Sequence, residues 1–170
     1  MVAPGSGDRR SAMSVDLDAD ATGTAAVLAR VLVDQRDVAQ ALDVAHRAAW
    51  AAVEPRLLEL CRLRAAQLIG CGAEAGAVTP GAGVSLETAD QIAQWPTVDT
   101  FDERDRAVLA WCEQFVIDVA SMTDDQVDAV RTWLGDDGVV NLTNALLVIE
   151  QRQRLRTMWE RLQLSEEALS

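Results

Sequence analysis

Residues Glu54 to Glu74 read E-P-R-L-L-E-L-C-R-L-R-A-A-Q-L-I-G-C-G-A-E, and the rest of the chain takes its meaning from them. Pro55 suits the first turn of a helix, where its missing N–H leaves nothing unpaired. The segment that follows (Leu57, Leu58, Leu60, Cys61, Leu63, Ala65, Ala66, Leu68, Ile69) is apolar nearly all round, which predicts a helix buried on most sides. Glu59, Arg62, Arg64 and Gln67 stand out against that background. Glu59 and Arg62 are spaced to pair on one face, and Arg64 and Gln67 on another. Leu60 and Leu68, one turn on either side of Arg64, predict that its guanidinium lies inside and finds acceptors there. A buried network that fixes helix packing and a network that builds a site are both open readings of these four residues.

The segment ends at Cys71, bracketed by Gly70 and Gly72. On an unbroken helix Glu59 and Cys71 would sit about 18 Å apart along the axis. The glycines predict a break, after which a new helix would hold Cys71 at its positive end, where a thiolate is favoured.

Bulk composition narrows the setting. A chain of 170 residues is enough for one domain with a real core. It is 49% hydrophobic and 4% aromatic and has no tyrosine, a composition that favours helices over strands. A net charge of −12 argues against partners that select for clustered Lys and Arg, namely nucleic acid and anionic membrane surfaces. The three cysteines form no CxxC pair, and with one histidine they make no structural zinc site of the usual kind. With no signal-peptide pattern and no membrane-length apolar run, the expectation is a cytoplasmic protein with reduced thiols and no cofactor.

Working outward, residues 1–20 are small, polar and rich in breakers and read as a disordered leader; residues 21–165 form the domain and 166–170 a tail. Val27, Leu28, Val31 and Leu32, then Val38, Leu42, Ala45 and Ala49, have helical spacing and belong to one bent helix or to two. His46 lies one turn before Trp50. As the lone histidine it invites a catalytic reading, although such a residue beside an apolar face more often packs or sits at the surface. Thr79–Gly83 is a loop, Ser85 caps a short helix ending at Trp95-Pro96, and a helix from Asp102 carries Val108, Cys112, Phe115 and Val116 on one stripe, with Cys112 read as core. Thr123 and Gln126 form a capping box, Gly135–Gly138 closes that helix, and the last helix runs through Leu142, Leu146 and Ile149 to Leu162. Its Glu150–Arg154 block reads as solvated charge. About seven helices with no period-two segment make an all-α domain.

In order and spacing, P-R-L-L-E-L-C-R-L-R-A-A-Q-L-I-G-C (55–71), G-V-S-L-E-T with W-P (83–96), F-D-E-R-D-R-A-V-L-A-W-C-E (101–113) and N-A-L-L-V-I-E-Q-R-Q-R-L (144–155) resemble the carboxymuconolactone decarboxylase-like, or alkylhydroperoxidase D-like, proteins. The resemblance covers roughly residues 50 to 160. It implies a helical homo-oligomer, commonly a trimer or hexamer, and in peroxidase members a pattern E-(x)11-C-x-x-C-x-x-x-H that cycles a cysteine pair. Glu59 and Cys71 match the glutamate and the first cysteine. Glu74 stands at the second cysteine, Val78 at the histidine, and Ala73 where some members carry a further histidine.

Two functions follow as expectations. A one-cysteine peroxidase would use Cys71 as nucleophile and an external thiol as reductant, with Glu59 and Arg62 or Arg64 managing the proton. A carboxylate close to Cys71 would disfavour its thiolate. The alternative is a non-redox scaffold or small-molecule binder whose former pocket is lined by Glu59, Arg64, Gln67 and Glu74, with Arg62 a further binding candidate. A lactone decarboxylase is the weakest reading, since it works with histidine and arginine and His46 has no matching position.

Overall fold

A computed structural model describes residues 15–17 and 22–162. The expected leader, apart from 15–17, and the expected tail lie outside the described residues. Those three are docked: the Asp16 N–H donates to the Pro80 carbonyl at 3.2 Å, and Val15 and Leu17 pack against the core.

The described residues form seven α-helices with two short 3-10 turns and no strand. The helices are α1 (Thr24–Val31), α2 (Arg36–Ala52), α3 (Pro55–Ile69), α4 (Gly72–Ala75), α5 (Leu86–Gln91), α6 (Glu103–Asp118) and α7 (Asp124–Arg161). The segment left open as one bent helix or two is two. α1 ends at Val31, with Leu32 as its cap, and both α1 and α2 lie against α7. The caps are those the sequence announces. Ser85 accepts from the Thr88 N–H at 3.1 Å, Asp102 from the Asp105 N–H at 2.8 Å, and Thr123 and Gln126 cap reciprocally. Within α7, Gly135 adopts φ 69°, ψ 173°, so the last two predicted helices join across a kink. No described helix is long and apolar enough to cross a membrane.

α3 is the central element because three of its faces carry apolar side chains into three clusters. Leu57, Cys61 and Ala65 meet Val108, Trp111 and Cys112 of α6 and Val130, Leu142 and Leu146 of α7. Leu58 meets Ala49 and Trp50 of α2 and Ala145 and Ile149 of α7. Leu60 and Leu63 meet Val84, Ile92, Phe101 and Leu109. Each buried leucine contributes about 1.5–3 kcal/mol by leaving water, so α3 anchors its neighbours more than its own helix propensity does. Cys112 is core, as read from its stripe, and its thiol donates to the Cys61 carbonyl at 3.4 Å.

Candidate functional site

The polar residues of α3 divide by face. Glu59 and Arg62 point to the segment that follows the helix, where Gly70 stops α3 in the left-handed conformation at φ 79° and donates back to the Ala66 carbonyl. The reversal starts α4 and returns Glu74 to Arg62, twelve residues earlier in the chain.

Arg62, 2% exposed, has every one of its five N–H groups engaged. Nε and Nη2 form a fork on Glu59, at 2.8 Å each. Nη1 donates to the Glu74 carboxylate at 2.6 Å and to the Glu74 carbonyl at 2.8 Å, and Nη2 also donates to the Ala77 carbonyl. Glu59 further accepts the Thr79 N–H at 2.7 Å, which ties down the loop after α4. Glu74 accepts the Thr24 hydroxyl of α1 at 2.5 Å. Burial alone would push the Glu74 carboxyl up, but the charge of Arg62, the hydrogen bonds from Thr24 and Arg62, and the charge of Arg152 outweigh it and hold it below the usual range. Glu74 is therefore a carboxylate at neutral pH.

Above this network lies a chamber of about 40 Å³. α2 contributes Asp43, His46 and Trp50, α7 contributes Arg152, and Arg62 and Glu74 form its floor. Asp16, Leu17 and Thr22 also line it. His46 and Trp50 meet edge to face with centroids 6.2 Å apart, and neither His46 Nδ1 nor Trp50 Nε1 has a hydrogen-bond partner. Burial first, then the charge of Arg152, lowers the His46 pKa from 6.5 to about 4, against weaker opposition from Glu74 and Asp43. Hence His46 is neutral at pH 7. The chamber is thus walled by an indole and a neutral imidazole over a fixed carboxylate–guanidinium floor.

The predicted site residues part company here. Glu59, Arg62 and Glu74 come together as expected. Arg64 and Gln67 do not join them. Arg64, with 17% of its side chain exposed rather than enclosed, donates to Glu113 of α6 at 2.5 Å and to Gln67 at 3.1 Å, and Trp95 Nε1 donates to the same Glu113 at 2.7 Å. Two residues along a helix turn a side chain by about 200°, which carries Arg64 away from Arg62.

Cys71 is completely buried, does not line the chamber, and caps a helix of only four residues. The expected activation at a helix N-terminus has little dipole behind it, because the macrodipole needs aligned peptides. Val78, the position matched to the relay histidine, packs against the cluster around Ile92. Cys61 is inert for another reason: burial pushes its thiol well up, and the hydrogen bond and charge of Cys112 add to the shift.

Sequence reasoning missed Trp50, Asp43, Thr24 and Arg152. Arg152 sat in the block read as solvated charge, yet Glu150, Arg152 and Gln153 are buried and the Gln153 amide donates to the Arg62 carbonyl at 2.8 Å. The available signal was spacing, for Arg152 and Gln153 continue the inward face of Ala145 and Ile149. Among the described residues, no group of three or more His, Cys, Asp or Glu side chains is placed to hold a metal.

No protein-family model matches the sequence, and no curated relative does. Among solved structures, a protein of unknown function from Agrobacterium tumefaciens, assigned provisionally to the AhpD antioxidant-defence proteins, is similar with a TM-score of 0.68 at 19% identity, over 76% of this chain and 92% of that one. The likeness at that identity is one of architecture: this chain is an all-α protein of the AhpD-like fold.

Proposed function

We propose that the protein is a carboxymuconolactone decarboxylase-like, AhpD-like family member that binds a small molecule in the chamber over Arg62 and Glu74 and has given up thiol peroxidase chemistry. One observation carries this reading. The position matched to the second cysteine holds a salt-bridged carboxylate at the chamber floor, while Cys71 is 0% exposed and outside the chamber. A peroxide would have to reach a sealed sulfur with no partner thiol at Glu74. The chamber suits the binding and orientation of a small ligand: His46 and Trp50 line it, and its floor is fixed by a saturated ion network.

The test is native-state alkylation and graded hydroperoxide treatment at pH 7, read by mass spectrometry of Cys71. The expected result is an unmodified Cys71 until the protein is denatured. Fast alkylation of the folded protein, with sulfenic acid at stoichiometric peroxide, would restore the one-cysteine peroxidase with its external thiol reductant.

Self-association belongs to the same reading. It is supported by apolar side chains left in water on α6 and α7, with Ile117 67%, Val140 58% and Leu147 47% exposed. Sedimentation at micromolar concentration is expected to show an oligomer, and a monomer there would remove this part.

A further inference from the structure

Where α3 stops at Ile69, the last turns of α7 leave an open groove of about 470 Å³. Ile69 lines it from the end of α3, and Arg154, Thr157, Met158 and Arg161 line it from α7, together with the helix cap Leu162. The five α7 positions are spaced three, one, three and one residues apart, so they share one face of the helix. None of them lines the chamber over Arg62 and Glu74, and the groove stands or falls independently of the function proposed there.

Two features set the chemistry of the groove. The first is an apolar surface left in water: Met158 is 47% and Leu162 61% exposed, and Ile69 is half-buried. The second is a local inversion of charge. The chain carries 27 Asp and Glu against 15 Arg and no Lys, yet no acidic residue lines this groove and two arginines do.

Those two guanidiniums are unequally committed. Arg154 spends Nε and Nη2 on Glu150 Oε1, at 2.9 and 2.7 Å. Arg131 and Arg156 of the same helix also hold carboxylates. The Arg161 guanidinium has no hydrogen bond or ion pair with any described residue. Glu150 cancels one of the two positive charges and the C-terminal end of α7 about half of the other, so the face keeps roughly half a positive charge. That surplus suits one negative charge and not several.

A planar guanidinium takes up a carboxylate through two parallel N–H bonds. A carboxylate without a hydrocarbon part would leave Met158 and Leu162 wet, and a hydrocarbon without a charge would leave Arg161 unanswered. The stripe from Arg154 to Arg161 is about 10 Å long. A cavity of about 150 Å³ holds benzene, so the groove has room for a chain of about eight carbons with one side in solvent. We propose that this groove binds a medium-chain monocarboxylate, its carboxylate on Arg161 and its hydrocarbon chain along Met158, Leu162 and Ile69.

The experiment titrates the full chain at pH 7 with octanoate, octanol, octylammonium and acetate, following the Met158 methyl and Arg161 Nε–H resonances. Octanoate is expected to shift both saturably, with octanol and acetate at least tenfold weaker and octylammonium weakest. Arg161→Gln should weaken octanoate about tenfold, the size of one charge-assisted hydrogen bond at an open site, and leave octanol unchanged. Met158→Asp should weaken octanoate by at least as much. Both positions are exposed, so circular dichroism is expected to show an unchanged helix content in both variants. Octanol binding as tightly as octanoate, or octanoate binding untouched by both variants, overturns the proposal. Octanoate that binds only after Glu166→Gln and Glu167→Gln also overturns it, giving the groove to the acidic end of this chain. A change in sedimentation on Met158→Asp with no octanoate binding to the parent chain overturns it in favour of a second copy.

Discussion

Arg62 and Arg64 stand two residues apart on one helix, in near-identical sequence surroundings, and meet opposite fates. Arg62 is almost fully enclosed, clamps two carboxylates and two carbonyls, and forms the floor of the chamber. Arg64 remains partly wet and makes one carboxylate contact across to α6, assisted by Gln67. A buried charge is tolerated only when every donor is satisfied, and the Gly70 reversal supplies Arg62 with that complement by bringing Glu74 and Ala77 back to it. Where no loop returns, as at Arg64, the side chain stays at the rim. Local pattern decides that an arginine is on α3; the chain's path after the helix decides what it does.

That contrast can be broken by substitution. Arg62→Ala is expected to be the largest single loss, about 3–5 kcal/mol, because it leaves Glu59 and Glu74 buried without their cation. Urea denaturation at pH 7 measures it, and a loss under about 1 kcal/mol would mean that the network is solvated in solution. Next comes His46. Its folded pKa of about 4 lies below 6.5, so the unfolded chain takes up a proton first and stability falls as pH drops from about 6.5 toward 4. The groups facing it are Arg152 of α7, Asp43 of its own helix, and Glu74 and Arg62 below. Roughly 1–2 kcal/mol should be lost between pH 7 and pH 5, and His46→Gln should flatten that limb. An NMR titration placing His46 near 6.5 in the folded protein would contradict it.

Glu74 works in a lower window. Its folded pKa is held below 4.5, so its stabilising contribution is present above about 4.5 and lost as pH falls through the folded value. Glu74→Gln should therefore remove an acid limb distinct from that of His46. The smallest effect is expected for Arg64→Ala, about 0–1 kcal/mol, since a partly exposed pair gains little over hydration. If it matched Arg62→Ala, the distinction between the two arginines would collapse.

Much of the architecture was legible in the residues. Pro55, Ser85, Asp102 and Thr123 mark helix starts by the hydrogen bonds their own chemistry allows, and Gly70 and Gly135 mark breaks because a positive φ suits glycine. Glu59, Arg62 and Glu74 were legible too, as polar residues in an apolar setting. Illegible were Trp50 and His46 as chamber walls and Arg152 as an inward charge, because each reaches the chamber from a helix other than α3 and only the packing of α2 and α7 brings them there. Cys71 shows the limit from the other side: its spacing from Glu59 suggests chemistry, and its burial removes it from the chamber.

Helix starts and stops, the apolar character of α3 and the presence of Glu74 in place of a second thiol can be read from the residues alone, since they depend on backbone geometry and on residue type over a few positions. The convergence of α2, α7 and the Gly70 reversal on one small polar chamber, with the thiol outside it, comes from tertiary packing. Those outcomes depend on which helix faces pack together across tens of residues, and burial and unpaired hydrogen-bonding atoms are properties of that packing.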